Sequence, residues 1–197
     1  MRKNIFLFLG FLLLLGAYFP ATAASEVNLV TNPGFETGDF FEWNISNNGI
    51  QPSIWPLSIR PQYVHTGQYG AHISGEGSIS QNVSLPGPGK YQFGGYLRFF
   101  STGVNMFTTN SDIASITFVG SYILSAPSTI SMWYSAGDSP GPGGEMSDWM
   151  YFSGIYDYAG PGGNVILRIG LNNGSPGYTS LAVDDIFVTL VNKGPKK

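Results

Sequence analysis

The sequence of 197 residues contains no cysteine. Disulfide bonds therefore cannot stabilise the fold, so stability has to come from packing and, where acidic side chains converge, from a bound metal ion. The two histidines, His65 and His72, are too isolated to indicate a zinc site.

Charge is also scarce. Charged residues make up 11% of the chain, against about 25% in an average soluble domain. The formal net charge is −3, and the sole basic cluster is Lys193, Lys196 and Lys197. Such a surface is a poor match for nucleic acid or an anionic membrane. Aromatic residues reach 15%, and 27 glycines and 13 prolines accompany them. This composition favours neutral polar partners such as sugars, although neutral structural β-proteins share it.

Long apolar runs are absent except at the N-terminus. There, basic Arg2 and Lys3 precede an apolar stretch at residues 5–15, and Ala-Thr-Ala follows at residues 21–23. These three parts predict a secretory signal peptide at residues 1–24. The alternative is an uncleaved signal anchor.

The remaining chain has no apolar run of about 18 residues or more, so no membrane insertion of the mature protein is expected. We expect a secreted protein with one folded domain at residues 25–192 and a short basic tail at residues 193–197.

No long helical periodicity follows the signal, whereas alternating apolar and polar runs bounded by glycine, proline, asparagine and serine recur. This predicts an all-β fold: a two-sheet antiparallel β-sandwich, or jelly roll, of about ten strands. The candidate strands are residues 27–30, 54–59, 69–74, 77–85, 91–100, 113–122, 129–134, 149–157, 164–172 and 180–191.

Alternation predicts a mixed outer face on three of these strands. It combines aromatic rings with guanidinium groups, a combination suited to the apolar face and hydroxyl rim of a sugar. Trp55, between Pro52 and Pro56, is a further candidate, either on a rim loop or on an edge strand. The alternative is that these rings lie under loops or that the strands are not neighbours. The predicted ligand-binding residues are Tyr96, Arg98, Phe100, Trp133, Arg168 and Trp55.

Two motifs bracket the domain. Residues 28–43 read NLVTNPGFETGDFFEW, and residues 181–190 read LAVDDIFVTL. Between them lie a histidine-glycine turn in VHTGQYGA, at residues 64–71, and an Ile-Ser-Gln strand at residues 79–81. Together these segments resemble the galactose-binding-like jelly rolls of carbohydrate-binding module families 4, 9 and 22.

The resemblance implies a structural calcium near the two ends of the domain, held by Glu36, by the pair Asp184 and Asp185, and by backbone carbonyls. Calcium takes six to eight oxygen ligands, so such a set is plausible, but the acids could equally face solvent. In the resembling families the histidine turn is structural, and core tryptophans occupy the positions of Trp43 and Trp149.

Catalysis has weaker support. A glycosidase needs two carboxylates about 5 to 10 Å apart, and the available acids fall in no recognisable catalytic motif. We therefore expect a non-catalytic, lectin-like module that binds a polysaccharide or other glycan, free or associated with a cell surface. The alternatives are an extracellular structural or adhesive sandwich and, less favoured, a jelly-roll glycoside hydrolase or polysaccharide lyase. The longest connection, residues 135–148, is a reserve candidate for the binding site.

Overall fold

The computed structural model describes residues 27–47, 50–75, 77–101, 114–120, 129–132, 146–171 and 179–193. The predicted signal peptide and all of the predicted tail after Lys193 lie outside these residues. Within them the chain forms ten strands and one short 3-10 helix, η1, at Pro61–Tyr63. The strands are β1 Asn44–Ser46, β2 Ser53–Pro56, β3 Tyr69–Ser74, β4 Ser78–Leu85, β5 Gly89–Ser101, β6 Ala114–Val119, β7 Thr129–Met132, β8 Met150–Tyr158, β9 Gly163–Leu171 and β10 Thr179–Lys193.

The strands form two five-stranded antiparallel sheets. The first sheet has the order β1-β4-β9-β6-β7, and the second has the order β2-β3-β10-β5-β8. Strand β10 lies at the centre of the second sheet and pairs with both β3 and β5. The predicted two-sheet β-sandwich of about ten strands is confirmed.

The inner faces of both sheets supply the core. In β5 the predicted inward residues Tyr91, Phe93, Leu97 and Phe99 are buried, as are Val165, Leu167, Ile169 and Leu171 of β9. Phe93 packs edge-on against Phe118 from the first sheet, with ring centroids 4.4 Å apart. The alternation predicted from the sequence therefore assigns the correct face in both strands, because a one-residue slip would bury the polar set.

The predicted strand at residues 27–30 is wrong, because side-chain amides hold this segment in place of a regular ladder. Asn28 Nδ2 donates to Ile186 O at 2.9 Å, and Val188 N donates to Asn28 Oδ1 at 3.0 Å. Gln81 exchanges two hydrogen bonds of 2.8 Å with the Thr31 backbone. The three-residue strand β1 was not predicted, since it is too short to show alternation.

The connection between β2 and β3, residues 57–68, crosses the outer face of the second sheet. Gly70 allows this approach, because a Cβ there would collide with the Tyr63 carbonyl. Val64 is buried against the sheet, and the backbone N–H groups of His65 and Thr66 reach Asp184 in β10. We call residues 57–68 the covering segment. Across the described parts of the chain, no helix has the length and apolar character needed to cross a membrane.

Candidate functional site

The outer face of the second sheet carries most of the predicted ligand-binding residues. Tyr96, Arg98 and Phe100 alternate along β5 with their side chains on this face, and all three are half-buried. Trp55 lies on the edge strand β2 of the same sheet and is also half-buried. Four of the six predicted residues therefore belong to one face.

The part of this face nearer β2 is filled by the covering segment. The ring of Tyr63 stacks on His72 with centroids 4.4 Å apart and meets Phe100 edge-on at 4.9 Å. The Arg60 guanidinium lies over Trp55, 5.4 Å from the ring centroid. Phe100 therefore lies under a loop, as the alternative interpretation of the sequence expected.

Two donors in this filled part lack partners. Trp55 Nε1 and Arg98 Nε are buried and make no hydrogen bond within the described structure, although Arg98 Nη1 donates to Gln62 O at 3.3 Å. Burial lowers the pKa of Arg98, and the nearby Asp148 charge partly offsets that effect. Buried donors are normally satisfied, so each of these two is expected to bond an ordered water; a ligand would reach them only if the covering segment moved.

The part of the face nearer β8 is open. Tyr96 lies opposite Tyr151, with ring centroids 5.3 Å apart, and Tyr151 stacks on Phe187 at 6.0 Å with an interplanar angle of 9°. Tyr151 is 51% exposed. Gln92 Nε2 lies 3.5 Å from the Tyr151 hydroxyl. We call Tyr96, Tyr151 and Phe187 the aromatic ledge.

Sequence reasoning missed Tyr151 and Phe187. The alternation of β8 places Tyr151, Ser153 and Ile155 outward, and this signal was available in the sequence. Alternation could not predict the outward position of Phe187, because the register between β10 and β5 shifts between Asp184 and Phe187. An irregularity of this kind changes which residues face outward beyond it.

Arg168 is not part of this face. It lies on β9, which belongs to the first sheet, and its side chain points outward on the opposite side of the sandwich, with Nε donating to Ser78 Oγ at 3.2 Å. The prediction that three neighbouring strands share one ligand face is therefore wrong. Trp133 and the reserve positions Asp138 and Glu145 lie outside the described residues.

Trp43 and Trp149 were both expected in the core, but they differ in burial. Trp43 is buried, its indole Nε1 donates to Asn32 O at 3.2 Å, and its ring packs on Phe35. Trp149 is half-exposed on the outer face of the second sheet, where the Arg98 guanidinium lies 5.2 Å from its ring centroid. The core assignment of Trp149 is wrong, because the residue precedes β8 at Met150 and covers Arg98 instead of the interior.

The three predicted metal ligands converge on the turn at residues 65–68. Glu36 accepts hydrogen bonds from Gln68 N at 3.0 Å and Tyr69 N at 3.3 Å. Asp184 Oδ2 accepts from His65 N at 2.7 Å and Thr66 N at 3.1 Å. Each carboxylate thus binds one half of the same turn, which ties the N-terminal motif to β10.

Asp185 binds the side chains of this turn. Its Oδ2 lies 2.6 Å from His65 Nδ1, and Thr66 Oγ1 donates to its Oδ1 at 2.7 Å. Asp185 has a φ of 49°, in the left-handed region that disfavours side chains. The strained backbone aims the carboxylate at the turn.

Asp184 is the most perturbed acid of the group. It has no solvent exposure, and burial raises its pKa to about 7; hydrogen bonds from His65, Asp185 and Thr66 lower it, while the Asp185 charge raises it further. No Lys or Arg forms an ion pair with it within the described structure. A divalent cation would offset this desolvated charge.

The same residues limit how calcium could bind. In the described ranges, no three His, Asp or Glu side chains gather in a group able to hold a metal ion. Calcium coordination would therefore draw on backbone carbonyls and water in addition to Glu36, Asp184 and Asp185. The chemistry of the donors fits calcium, and the metal assignment stays a prediction.

We compared the chain with protein families and with known proteins. No protein-family model matches the sequence. A 1,6-alpha-glucosyltransferase from Sporosarcina globispora is 28% identical over 189 residues, which cover 90% of this chain and 13% of that protein. The chain therefore spans a small part of that relative's length.

Solved structures share the fold. TmCBM61, in complex with beta-1,4-galactotriose, superposes with a TM-score of 0.50 at 20% identity, covering 83% of this chain and 99% of that one. The two chains therefore share the jelly-roll fold. The CBM22 tandem domain of Paenibacillus barcinonensis Xyn10C gives a TM-score of 0.50 at 15% identity over 88% of this chain and 49% of that one. A family 16 carbohydrate-binding module gives 0.50 at 14% identity over 82% and 99%. The predicted resemblance is confirmed for the fold.

Proposed function

We propose that this chain is an exported, non-catalytic carbohydrate-binding module that binds a polysaccharide on the aromatic ledge. The observation that carries the proposal is the stacked pair of Tyr151 and Phe187 beside Tyr96, with Tyr151 half-exposed and an amide within reach of its hydroxyl. Rings of this kind stack on the apolar face of a pyranose, while Gln92 is suited to its hydroxyls.

The unpartnered donors extend the proposed site toward β2. Trp55 Nε1 and Arg98 Nε lie on the same face as the ledge and are buried without hydrogen-bond acceptors in the described structure. A bridging water supplies the acceptor that each lacks, and a sugar hydroxyl would reach either donor only after the covering segment moved. Most of the contact area would come from the ledge.

Calcium is the second component of the proposal. A cation at the turn of residues 65–68 would neutralise Asp184 and hold the N-terminal motif against β10. Binding to the folded state alone stabilises it by about 2.7 kcal/mol when free calcium is a hundredfold above Kd. The effect of calcium on sugar binding would be indirect, through the position of His65 beside Tyr96.

The names of the similar proteins suggest the first probes. Beta-1,4-galactan and an alpha-1,6-glucan such as dextran match the sugar linkages in the names of TmCBM61's ligand and of the glucosyltransferase. The transferase reaction itself is not proposed for this chain. Affinity electrophoresis through gels containing each polysaccharide, extended to a glycan array, would test binding by the mature protein.

The ledge is tested by comparing Tyr151→Ala with Tyr151→Phe. Removing an anchor ring commonly costs about 2 kcal/mol, which corresponds to roughly a 30-fold weaker affinity. Tyr151→Phe keeps the ring and should bind within a few-fold of the parent chain. Equal binding by all three proteins, or no retention of the parent chain by any polysaccharide, would overturn the assignment.

A second candidate function is an extracellular adhesive or structural sandwich. It is favoured by the covering segment, which fills the part of the face nearer β2. This function predicts self-association or attachment to cells without sugar. Light scattering after size-exclusion chromatography, and cell pull-downs with and without competing polysaccharide, distinguish the two functions.

A further inference from the structure

A second surface with sugar-binding chemistry lies on the other side of the sandwich. A cleft of about 420 Å³ opens at the β1 edge of the first sheet, lined by Phe41, Glu42, Trp43, Asn44 and Asn82. Ligand clefts commonly measure about 300 to 1,000 Å³. This cleft combines two aromatic residues, a glutamate and two asparagines, and none of them belongs to the ledge.

The ring of Phe41 stands in solvent on a fixed backbone. Phe41 is 53% exposed, whereas its neighbour Trp43 is buried and anchored to Asn32 O. Asp39 Oδ1 accepts hydrogen bonds from Phe41 N at 3.0 Å and from Thr37 Oγ1 at 2.7 Å. The loop thus fixes the backbone from which the exposed ring projects, which lowers the entropy lost on binding.

Glu42 is held in a costly conformation. Its φ is 65°, in the left-handed region that non-glycine residues rarely adopt. Such strain costs about 1 to 3 kcal/mol and clusters at functional sites. Here the backbone turns between an exposed Phe41 and a buried Trp43, and Glu42 lines the cleft together with Asn44 and Asn82.

The surface continues from the cleft along the outer face of the first sheet. Asn82 pairs with Ile166, and Ile166 pairs with Val119; both of these apolar side chains are exposed. Two residues before Asn82 along β4, Ser80 pairs with Arg168 on one side and with Asn44 of β1 on the other, and Arg168 is exposed as well. An apolar strip bordered by amide, hydroxyl and guanidinium groups suits a sugar chain, whose faces are apolar and whose rim carries hydroxyls.

We infer that the cleft around Phe41 is a second carbohydrate-binding site, and that the protein is bivalent. Phe41 would stack on a sugar ring, Glu42 and the two asparagines would bond its hydroxyls, and Ile166 and Val119 would contact the next residues of the chain. The ledge and this cleft lie on opposite sheets, so one molecule would bridge two polysaccharide chains. The inference extends the proposed function but uses none of the ledge residues.

Bridging is the property to test. Protein produced in a host without N-glycosylation is used, because Asn44 and Asn82 both lie in Asn-x-Ser sequences. The probes are soluble beta-1,4-galactan and dextran, in gel retardation and in turbidity titrations. Two-site binding to a multivalent polymer predicts turbidity that rises and then falls as protein is added. The variants are Phe41→Ala and Tyr151→Ala, singly and combined.

Each single variant should keep part of the gel retardation, with an affinity 10-fold or more below the parent, and lose the turbidity. The combined variant should lose both. Ile59→Ala is the control, because Ile59 is 63% exposed and belongs neither to the ledge nor to the lining of the cleft. Phe41→Tyr should bind like the parent chain, which separates loss of the ring from loss of the fold.

The outcomes separate the two proposals. If Tyr151→Ala alone abolishes all retardation and Phe41→Ala changes nothing, the second site is wrong and the ledge stands. If Phe41→Ala alone abolishes retardation, the cleft is the sole site, so bivalency is wrong and the ledge fails. A parent chain that neither probe retards or renders turbid overturns both proposals.

Discussion

The imidazole of His65 stacks on the ring of Tyr96, with centroids 3.8 Å apart and an interplanar angle of 16°. The same imidazole contacts Asp185 through Nδ1 at 2.6 Å. One side chain therefore joins the acidic turn to the aromatic ledge. We expect a change in the turn to reach the ledge through this packed contact.

Asp185→Asn tests this connection. Losing the charged partner should free the His65 ring and lower glycan affinity several-fold, because Tyr96 loses the neighbour that fixes its position. Thr66→Val removes the other Asp185 side-chain contact and leaves the imidazole in place, so it serves as the control. Affinity electrophoresis and melting curves are compared for both variants. Unchanged binding by Asp185→Asn would show that the turn and the ledge act independently.

A side chain at Gly67, in the turn at residues 65–68, is expected to destabilise the fold. Its φ is 72°, and a Cβ there would collide with the Glu36 carboxylate. Gly67→Ala should lower the free energy of unfolding by about 3 kcal/mol, combining left-handed strain with displaced hydrogen bonds to Glu36. Gly75 has a φ of 60° and open space around it, so Gly75→Ala isolates the strain, about 1 kcal/mol. If urea denaturation shows the same loss in free energy of unfolding for both variants, the contact with Glu36 does not contribute.

Asp184 predicts a specific pH dependence in calcium-free buffer. Its pKa is raised from 3.8 to about 7 by burial, so between these pH values the folded chain holds a proton that the unfolded chain has lost. The free energy of unfolding should therefore decrease as pH rises from 4 to 7, by up to about 4 kcal/mol from this group. Subtracting the Asp184→Asn profile from the parent profile isolates the contribution. A flat or rising difference would contradict the assignment.

Added calcium should stabilise the folded state at the pH at which the ionised Asp184 destabilises it. Metal binding requires the ionised carboxylate, so added calcium should raise the melting temperature at pH 7 and have little effect at pH 4.5. The expected shift at pH 7 is about 5 to 10 °C for 2.7 kcal/mol. Asp184→Asn should abolish the response. A parent protein whose melting temperature is the same in excess calcium and in EDTA at pH 7 would remove the metal from the proposal.

His72 predicts a pH dependence of the opposite sign. Burial, followed by the Arg60 charge, lowers its pKa from 6.5 to about 4. Between these values the unfolded chain binds the extra proton, so this group makes the free energy of unfolding increase as pH rises from 4 to 6.5. The contribution should be about 2 to 3 kcal/mol and should be absent in His72→Gln. An identical pH profile for the variant would show that His72 is solvated in the folded state.

The sequence predicted the fold well where one physical constraint dominates. Burial of one sheet face enforces alternation, so β5 and β9 were assigned with the correct inward residues. The N-terminal motif and the Asp184-Asp185 pair were expected near each other, and both reach the turn at residues 65–68.

The candidate site was predicted less well, because alternation says nothing about which sheet a strand joins. Tyr96 and Arg168 both face outward, yet their strands lie in different sheets. Trp149 and the covering segment are positioned by tertiary contacts with Arg98 and Gly70, which have no local pattern. Phe187 faces outward through a register shift that the period of two does not reveal.

The central position of β10 has a consequence for how the domain is made. Residues 179–193 separate β3 from β5 and also receive the Asn28 side chain, about 160 positions earlier in the chain. A ribosome that has synthesised the first 178 residues has produced two strands whose facing edges lack their partner. Sheets closed by such distant contacts fold slowly, and unpaired edges aggregate. The second sheet therefore cannot close before β10 has been synthesised, and a chain truncated before β10 should precipitate instead of forming a partial domain.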